Sequence, residues 1–216
     1  MLKIYSIPPS LYSAKLRILL RHKGLEWNEV LPPGGYGSDE YKQIVPTGNI
    51  PALIDGDLLL ADTEAIAEYL NEKHPDPPML PSDLGHRALA RQLSRFHDTR
   101  LEPELRKLFA HVSPDAQDPA LNAAQSQAIN AKLAQIAQVL PERMSAFGSQ
   151  LTLGDCGFPI SQVWIDALAS ALDMDIRWPG AFTDYLAAMQ EHAAVHAELS
   201  EYRPIIADWV ASKTAT

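Results

Sequence analysis

Only one cysteine, Cys156, stands in this 216-residue chain. A single thiol excludes an internal disulfide framework and the small stapled scaffolds that depend on one. No apolar run approaches the roughly 20 residues that a helix needs to cross a bilayer. The opening MLKIYSIPPS lacks the basic segment and apolar core of a secretory signal, so a reducing, cytoplasmic setting is expected. Lys and Arg form no cluster, and the formal net charge is -9. Nothing therefore gathers the positive field that nucleic acid or an anionic membrane would require. The glycines of PPGGYGS at 32–38 are not followed by the Gly-Lys-Ser/Thr of a phosphate loop, and no G-x-G-x-x-G or G-x-S-x-G occurs. His192 and His196 are four apart, as two ligands on one helix face would be, but no Glu completes a metalloprotease arrangement. No metal is expected.

What the chain does have is an ordinary globular balance, 46% hydrophobic and 21% charged residues. Its length allows one large or two small domains. Residues 2–7 read as a short strand, Pro8-Pro9-Ser10-Leu11-Tyr12 as a loop, and 13–24 as a helix with Leu16, Leu19 and Leu20 on one face and Gly24 as terminator. A second strand at 25–31 completes a strand–helix–strand unit of the parallel-crossover type. HPDPPMLP at 74–81 carries four prolines in eight residues, cannot continue a helix, and marks a boundary. Beyond it only helical patterns remain, at 85–112, 120–147, 155–172, 180–192 and 194–212, with Pro204 read as opening a new helical turn after a break. The expected organisation is a domain over 1–74, a proline-rich linker over 75–84, and an all-α domain over 85–216.

The most informative stretch is VPTGNIPALIDGDLLLADTEAIAEYL at 45–70. Ile50-Pro51 is a candidate cis bond. Two apolar runs flank Asp55-Gly56, a hairpin signal, and Asp62-Thr63-Glu64 opens a helical pattern with residues whose side chains accept from free backbone N–H groups. This order and spacing resembles the cytosolic glutathione transferases, serine-type and bacterial-like. The resemblance covers nearly the full length and implies an α/β thioredoxin-like N-terminal domain followed by an all-α helical bundle. It implies that the Ile50 backbone before cis-Pro51, next to Asn49, pairs with the cysteinyl part of glutathione, while Asp62 and Thr63 hold the γ-glutamyl end. The family more often has Glu-Ser at those two positions.

Within the same resemblance, Ser10-Leu11-Tyr12-Ser13 followed by Ala-Lys-Leu-Arg aligns with S-x-x-[SC]-x-x-[VL]-R and places Ser10 on the catalytic hydroxyl. Tyr5, Tyr12 and Ser13 are rivals: Tyr5 reads as core, Tyr12 as pocket wall, Ser13 as a helix cap. Pro9, Leu11, the glycine loop and the long helix after the linker would shape a pocket for the second substrate; the resemblance puts the glycine loop at its mouth and beside the glutathione glycine carboxylate, with Tyr36 and Lys42 as candidates that no motif places. Asp98 or Arg100, in RFHDTRLEPELRKLF, would reach a partner subunit's site. Thr152 and Asp155 in LTLGD have capping-box spacing at a buried helix start, and Cys156 beside them reads as a small packed residue. The activity implied is addition of the glutathione thiolate to a hydrophobic electrophile by a homodimer, with glutathione as co-substrate. A glutathione-dependent isomerase of the maleylacetoacetate type, which has Ser-Ser-Cys where this chain has Ser10-Leu11-Tyr12, and a non-catalytic binding module are the alternatives.

Overall fold

The computed structural model describes residues 1–215. Clustering of the backbone divides the chain into two compact units, with the division between Met79 and Leu80.

In the first unit β1 (Leu2–Tyr5) leads through α1 (Leu11–His22) to β2 (Trp27–Val30), which lies parallel to β1 with Leu2 opposite Trp27 and Tyr5 opposite Val30. The expected crossover is therefore present, with strands shorter than their apolar runs. After α2 (Asp39–Lys42), β3 (Ala52–Asp55) and β4 (Leu58–Leu60) form a hairpin whose turn uses Gly56 at φ +62°, a conformation that costs glycine nothing. The sheet order is β2-β1-β3-β4, with β3 antiparallel to both neighbours. α3 (Thr63–Lys73) follows. This is the thioredoxin-like α/β arrangement. Its core draws on α1 and α3, with Leu16, Ile18, Leu20, Ile66 and Leu70 buried. Lys23, the C-cap residue of α1, is also buried; its ammonium donates to the carbonyls of His74 at 2.7 Å and Pro77 at 2.9 Å. α2 was not legible in the glycine loop, because a four-residue helix carries no periodicity. It exists because Ser38 Oγ accepts the N–H of Tyr41 at 3.0 Å.

The second unit is all helical: α4 (Leu84–Phe96), α5 (Glu102–Arg106), α6 (Pro119–Phe147), α7 (Phe158–Leu172), α8 (Gly180–Gln190) and α9 (Ala193–Thr214). The stretch expected as one helix over 85–112 is interrupted. A π-helical turn, His97–Leu101, separates α4 from α5, and a 3₁₀ turn, Phe109–His111, follows. Pro204 also corrects the expected break, since α9 continues through it. The proline removes one N–H, but Tyr202 and Ile206 on either side are fully buried, and Tyr202 accepts a hydrogen bond from Trp164 Nε1 at 2.8 Å. Packing outweighs the lost bond.

A buried ion pair fastens the turn between α6 and α7. Asp155, fully buried, accepts from Arg143 Nε at 3.0 Å and its terminal nitrogen at 2.8 Å, from Thr152 N–H at 2.8 Å and O–H at 2.7 Å, and from Tyr185 O–H at 2.9 Å. Arg143 also donates to the carbonyls of Gly148 at 2.6 Å and Gln150 at 2.8 Å. The Thr152–Asp155 spacing thus serves structure, as read. Its Arg143 partner sits inside α6, and no local pattern announced it. Cys156 is buried, with its sulfur 3.6 Å from the Thr152 carbonyl.

Candidate functional site

Sheet topology gathers the expected residues at one end of the first unit. β1 ends at Tyr5, opposite Ala52, the first residue of β3, and β4 ends at Leu60, opposite Leu53. The loop leaving β1, the segment entering β3 and the loop leaving β4 therefore share one sheet end. They carry Ser10, Asn49-Ile50-Pro51 and Asp62-Thr63 respectively.

Ser10 is the N-cap of α1. Its backbone N–H reaches the Ile7 carbonyl at 3.0 Å, and its Oγ accepts the N–H of Ser13 at 3.2 Å. Accepting that bond leaves the hydroxyl proton available for donation. Ser13 is buried, and its Oγ has no hydrogen-bond partner among the described residues. Tyr5 is buried in β1, and Lys3 Nζ donates to its hydroxyl at 3.0 Å, so it belongs to the sheet, as expected. Tyr12 is half-buried in the first turn of α1.

The Ile50–Pro51 bond is cis, as the motif suggested; Asp76–Pro77, in the proline-rich segment, is also cis. Pro51 is buried and Ile50 half-buried. Asn49 is exposed, and its carbonyl is occupied by the Tyr41 hydroxyl at 2.9 Å. That carbonyl is therefore committed within the fold.

Asp62 is the N-cap of α3 and accepts the N–H of Ala65 through one carboxylate oxygen at 2.9 Å, while Thr63, buried, is the first helical residue. The first turn of a helix presents unpaired N–H groups and the positive end of the helix dipole, a setting that favours a carboxylate. Glu64 follows, and its charge is met by Lys15 at 2.9 Å. Lys15 is 3% exposed and projects from the second turn of α1, so this pair ties the start of α3 to α1. Sequence patterning gave no sign of this contact, because the partners are 49 residues apart.

Tyr36 is 62% exposed, and Lys42 pairs loosely with Asp39 at 3.9 Å. In the second unit, Asp98 accepts from His97 Nδ1 at 2.7 Å, whereas Arg100 is exposed. A carboxylate only accepts, so Nδ1 carries a proton toward Asp98, and Nε2 lies 2.8 Å from Ser161 Oγ. Ser161, His97 and Asp98 form a buried polar chain, with the His97 and Ser161 side chains closed to solvent. It joins the π-helical turn to α7. Among the described residues no three His, Cys, Asp or Glu side chains converge as a metal site would require.

Residues 4–78 match the family described as glutathione S-transferase, N-terminal domain. Glutathione S-transferase Z1 of Arabidopsis thaliana is 43% identical over 105 residues, covering 47% of this chain and 48% of the relative. A stringent starvation protein A homolog of Haemophilus ducreyi is 29% identical over 156 residues, covering 72% of this chain and 70% of its own. The chain spans about half the length of the plant transferases it matches, 47 to 56%. Among solved structures, a maleyl pyruvate isomerase, described as a bacterial glutathione S-transferase of the zeta class, superposes with TM-score 0.76 at 25% identity, covering 94% of this chain and 98% of that one.

Proposed function

Because residues 4–78 match the glutathione S-transferase N-terminal domain and the curated relatives include plant glutathione S-transferases, we propose that this chain is a cytosolic glutathione S-transferase, which binds glutathione at the sheet end just described and adds its thiolate to a small hydrophobic electrophile. One observation carries the proposal: the N-cap hydroxyl of Ser10, the backbone before cis-Pro51 and the Asp62-Thr63 helix start converge at one end of the sheet. In this reading each residue has a distinct task. Thr63 and the free N–H groups of α3 receive the γ-glutamyl carboxylate, and the second carboxylate oxygen of Asp62 meets the ammonium. The Ile50 backbone, beside Asn49, pairs with the cysteinyl amide and sets the sulfur near Ser10. Ser10 donates its hydroxyl to that sulfur as a thiolate and forms no covalent intermediate. Cytoplasmic residence and a homodimer belong to the same reading.

The likeness to a maleyl pyruvate isomerase favours a second enzymatic outcome, in which the bound thiolate adds to a substrate double bond and leaves again after isomerisation. The third reading is glutathione binding without turnover, and similarity over 72% of this chain to a stringent starvation protein A homolog, a name that states no enzyme activity, keeps it in the test. Retention on glutathione-agarose, together with a conjugation assay using an aryl halide and an isomerisation assay using a cis-enoyl diacid, separates them. Retention with conjugation supports the proposal. Isomerisation alone moves it to the second reading, turnover in neither assay moves it to the third, and failure to be retained overturns all three.

A further inference from the structure

Tyr41 is fully buried in the four-residue α2, a polar group inside an otherwise apolar cluster of Tyr5, Val45 and Ala52, against which Ile50 packs. Its ring meets Tyr5 edge-on at 5.3 Å and 64°. Its hydroxyl has one task in the fold: it donates to the carbonyl oxygen of Asn49 at 2.9 Å. The peptide joining Asn49 to Ile50 is a rigid trans plane, so anchoring its oxygen also fixes the opposite direction, in which the N–H of Ile50 points. We propose that Tyr41 is a positioning residue, whose hydroxyl orients the Asn49–Ile50 peptide so that the Ile50 backbone is presented to the cysteinyl part of glutathione. This rests on the glutathione site proposed above.

The segments around Tyr41 are built to hold that orientation. Ser38 Oγ caps α2 at the Tyr41 N–H and donates to the Pro33 carbonyl at 2.8 Å. The Tyr41 carbonyl accepts from Val45 N–H at 2.8 Å, the Val45 carbonyl from Gly48 N–H at 2.8 Å, and the Gly48 carbonyl from Gly37 N–H at 2.9 Å. Gly48 has φ +68°, and a Cβ there would lie 3.0 Å from the Gly37 backbone. The glycine loop and the turn before Ile50 are therefore laced together around one buried hydroxyl. A phenylalanine would fill the same cavity, so what the hydroxyl adds over that ring is this single directed bond.

Tyr41→Phe removes the donor and keeps the ring. In the unliganded variant the Ile50 amide resonance should shift and exchange with solvent faster, while the Asp155 amide in the other unit stays unchanged. KM for glutathione should rise about three- to tenfold, the effect of one hydrogen bond, with kcat held. Tyr41→Met, a second donor-free variant, should show the same split if Tyr41→Phe folds poorly. An unmoved Ile50 amide, or unchanged glutathione affinity when the unsubstituted protein binds, overturns the inference alone. An unsubstituted protein that binds no glutathione overturns the proposed function and the ligand part of this inference, and the unliganded amide spectra still decide whether Tyr41 orients the peptide.

Discussion

Ser10 Oγ accepts the backbone N–H of Ser13 at 3.2 Å, which makes one hydroxyl responsible for both a helix start and, in the proposed mechanism, a thiolate. A thiol near its reference pKa of about 8.5 is mostly protonated at neutral pH. A hydrogen bond from Ser10 and the helix N-terminus would together lower it by about one to three units, from about 1.5–3 and about 0.3–1 kcal/mol respectively. Ser10→Ala should raise the bound thiol's pKa and cut turnover with glutathione affinity nearly unchanged, and should also cost about 0.5–2 kcal/mol of stability through the lost cap. Ser10→Asp separates the two effects, keeping the cap while offering no proton at neutral pH. Thiolate absorbance against pH is the measurement, and an Ala titration overlaying that of the unsubstituted protein moves the role to Tyr12 or Ser13.

Asp62 likewise carries two loads, since one of its oxygens caps α3 at Ala65. Asp62→Ala should lose glutathione affinity and helix stability together, whereas Asp62→Ser should keep the cap and lose only the charge. Thr63→Val is the cleaner test of the γ-glutamyl site, with calorimetry expected to show at least about tenfold weaker binding from one lost charge-assisted bond. Affinity unchanged from that of the unsubstituted protein in both Thr63→Val and Asp62→Ser would place the ligand's amino-acid end elsewhere.

Burial, and then the neighbouring Tyr5, push the Tyr41 phenol up to about 12. In the unfolded chain it ionises near 10, so between about pH 10 and 12 the folded state binds more protons than the unfolded state. Stability from this group is complete below about pH 10 and falls as pH rises toward about 12. Denaturation curves at pH 9.5 and 11 should show a steeper alkaline loss for the unsubstituted protein than for Tyr41→Phe, other groups being common to both. Parallel slopes would mean that the phenol is not held protonated.

Gly154 lies where a Cβ would fall 2.4 Å from the Ala90 carbonyl oxygen and 3.0 Å from the Leu93 side chain. The oxygen belongs to the backbone of α4 and cannot rotate away. Gly154→Ala should therefore cost more than the roughly 1–3 kcal/mol of ordinary overpacking. Gly157→Ala meets the His97 ring at 2.5 Å and should disturb the His97–Ser161 bond as well. Thermal melts would check both, and an unshifted Tm in either would contradict the close approach.

The features legible in the sequence were those written locally. Gly56 in the hairpin, Asp62 at a helix start and the spacing of Thr152 and Asp155 each act within a few residues, so their patterns survive in one dimension. Lys15–Glu64, Arg143–Asp155 and the Tyr41–Asn49 bond escaped notice for a different reason. Each looks like an ordinary surface or core residue until the fold supplies its partner. The π-helical turn at His97–Leu101 was invisible because an extra residue in one turn leaves the apolar periodicity of the flanking helices intact. Ser10 stands out by its place in S-x-x-S beside Ile50-Pro51, a pattern equally open to an ordinary N-cap serine, and the geometry around Ser13 shows that it does cap α1.

The Arg143–Asp155 pair closes a loop of 12 residues, which bears on the order in which the second unit assembles. Short loops lose little entropy on closure and form on the submicrosecond scale. A more distant partner of that carboxylate, Tyr185, is 30 residues away and arrives only when α8 docks. The α6–α7 turn is therefore expected to be native-like in the rate-limiting step of folding, ahead of the helices it later supports. In stopped-flow experiments Thr152→Val should slow refolding with little change in unfolding, whereas Tyr185→Phe should mainly accelerate unfolding. The reverse pattern would mean that the charges lock an assembly already formed around them.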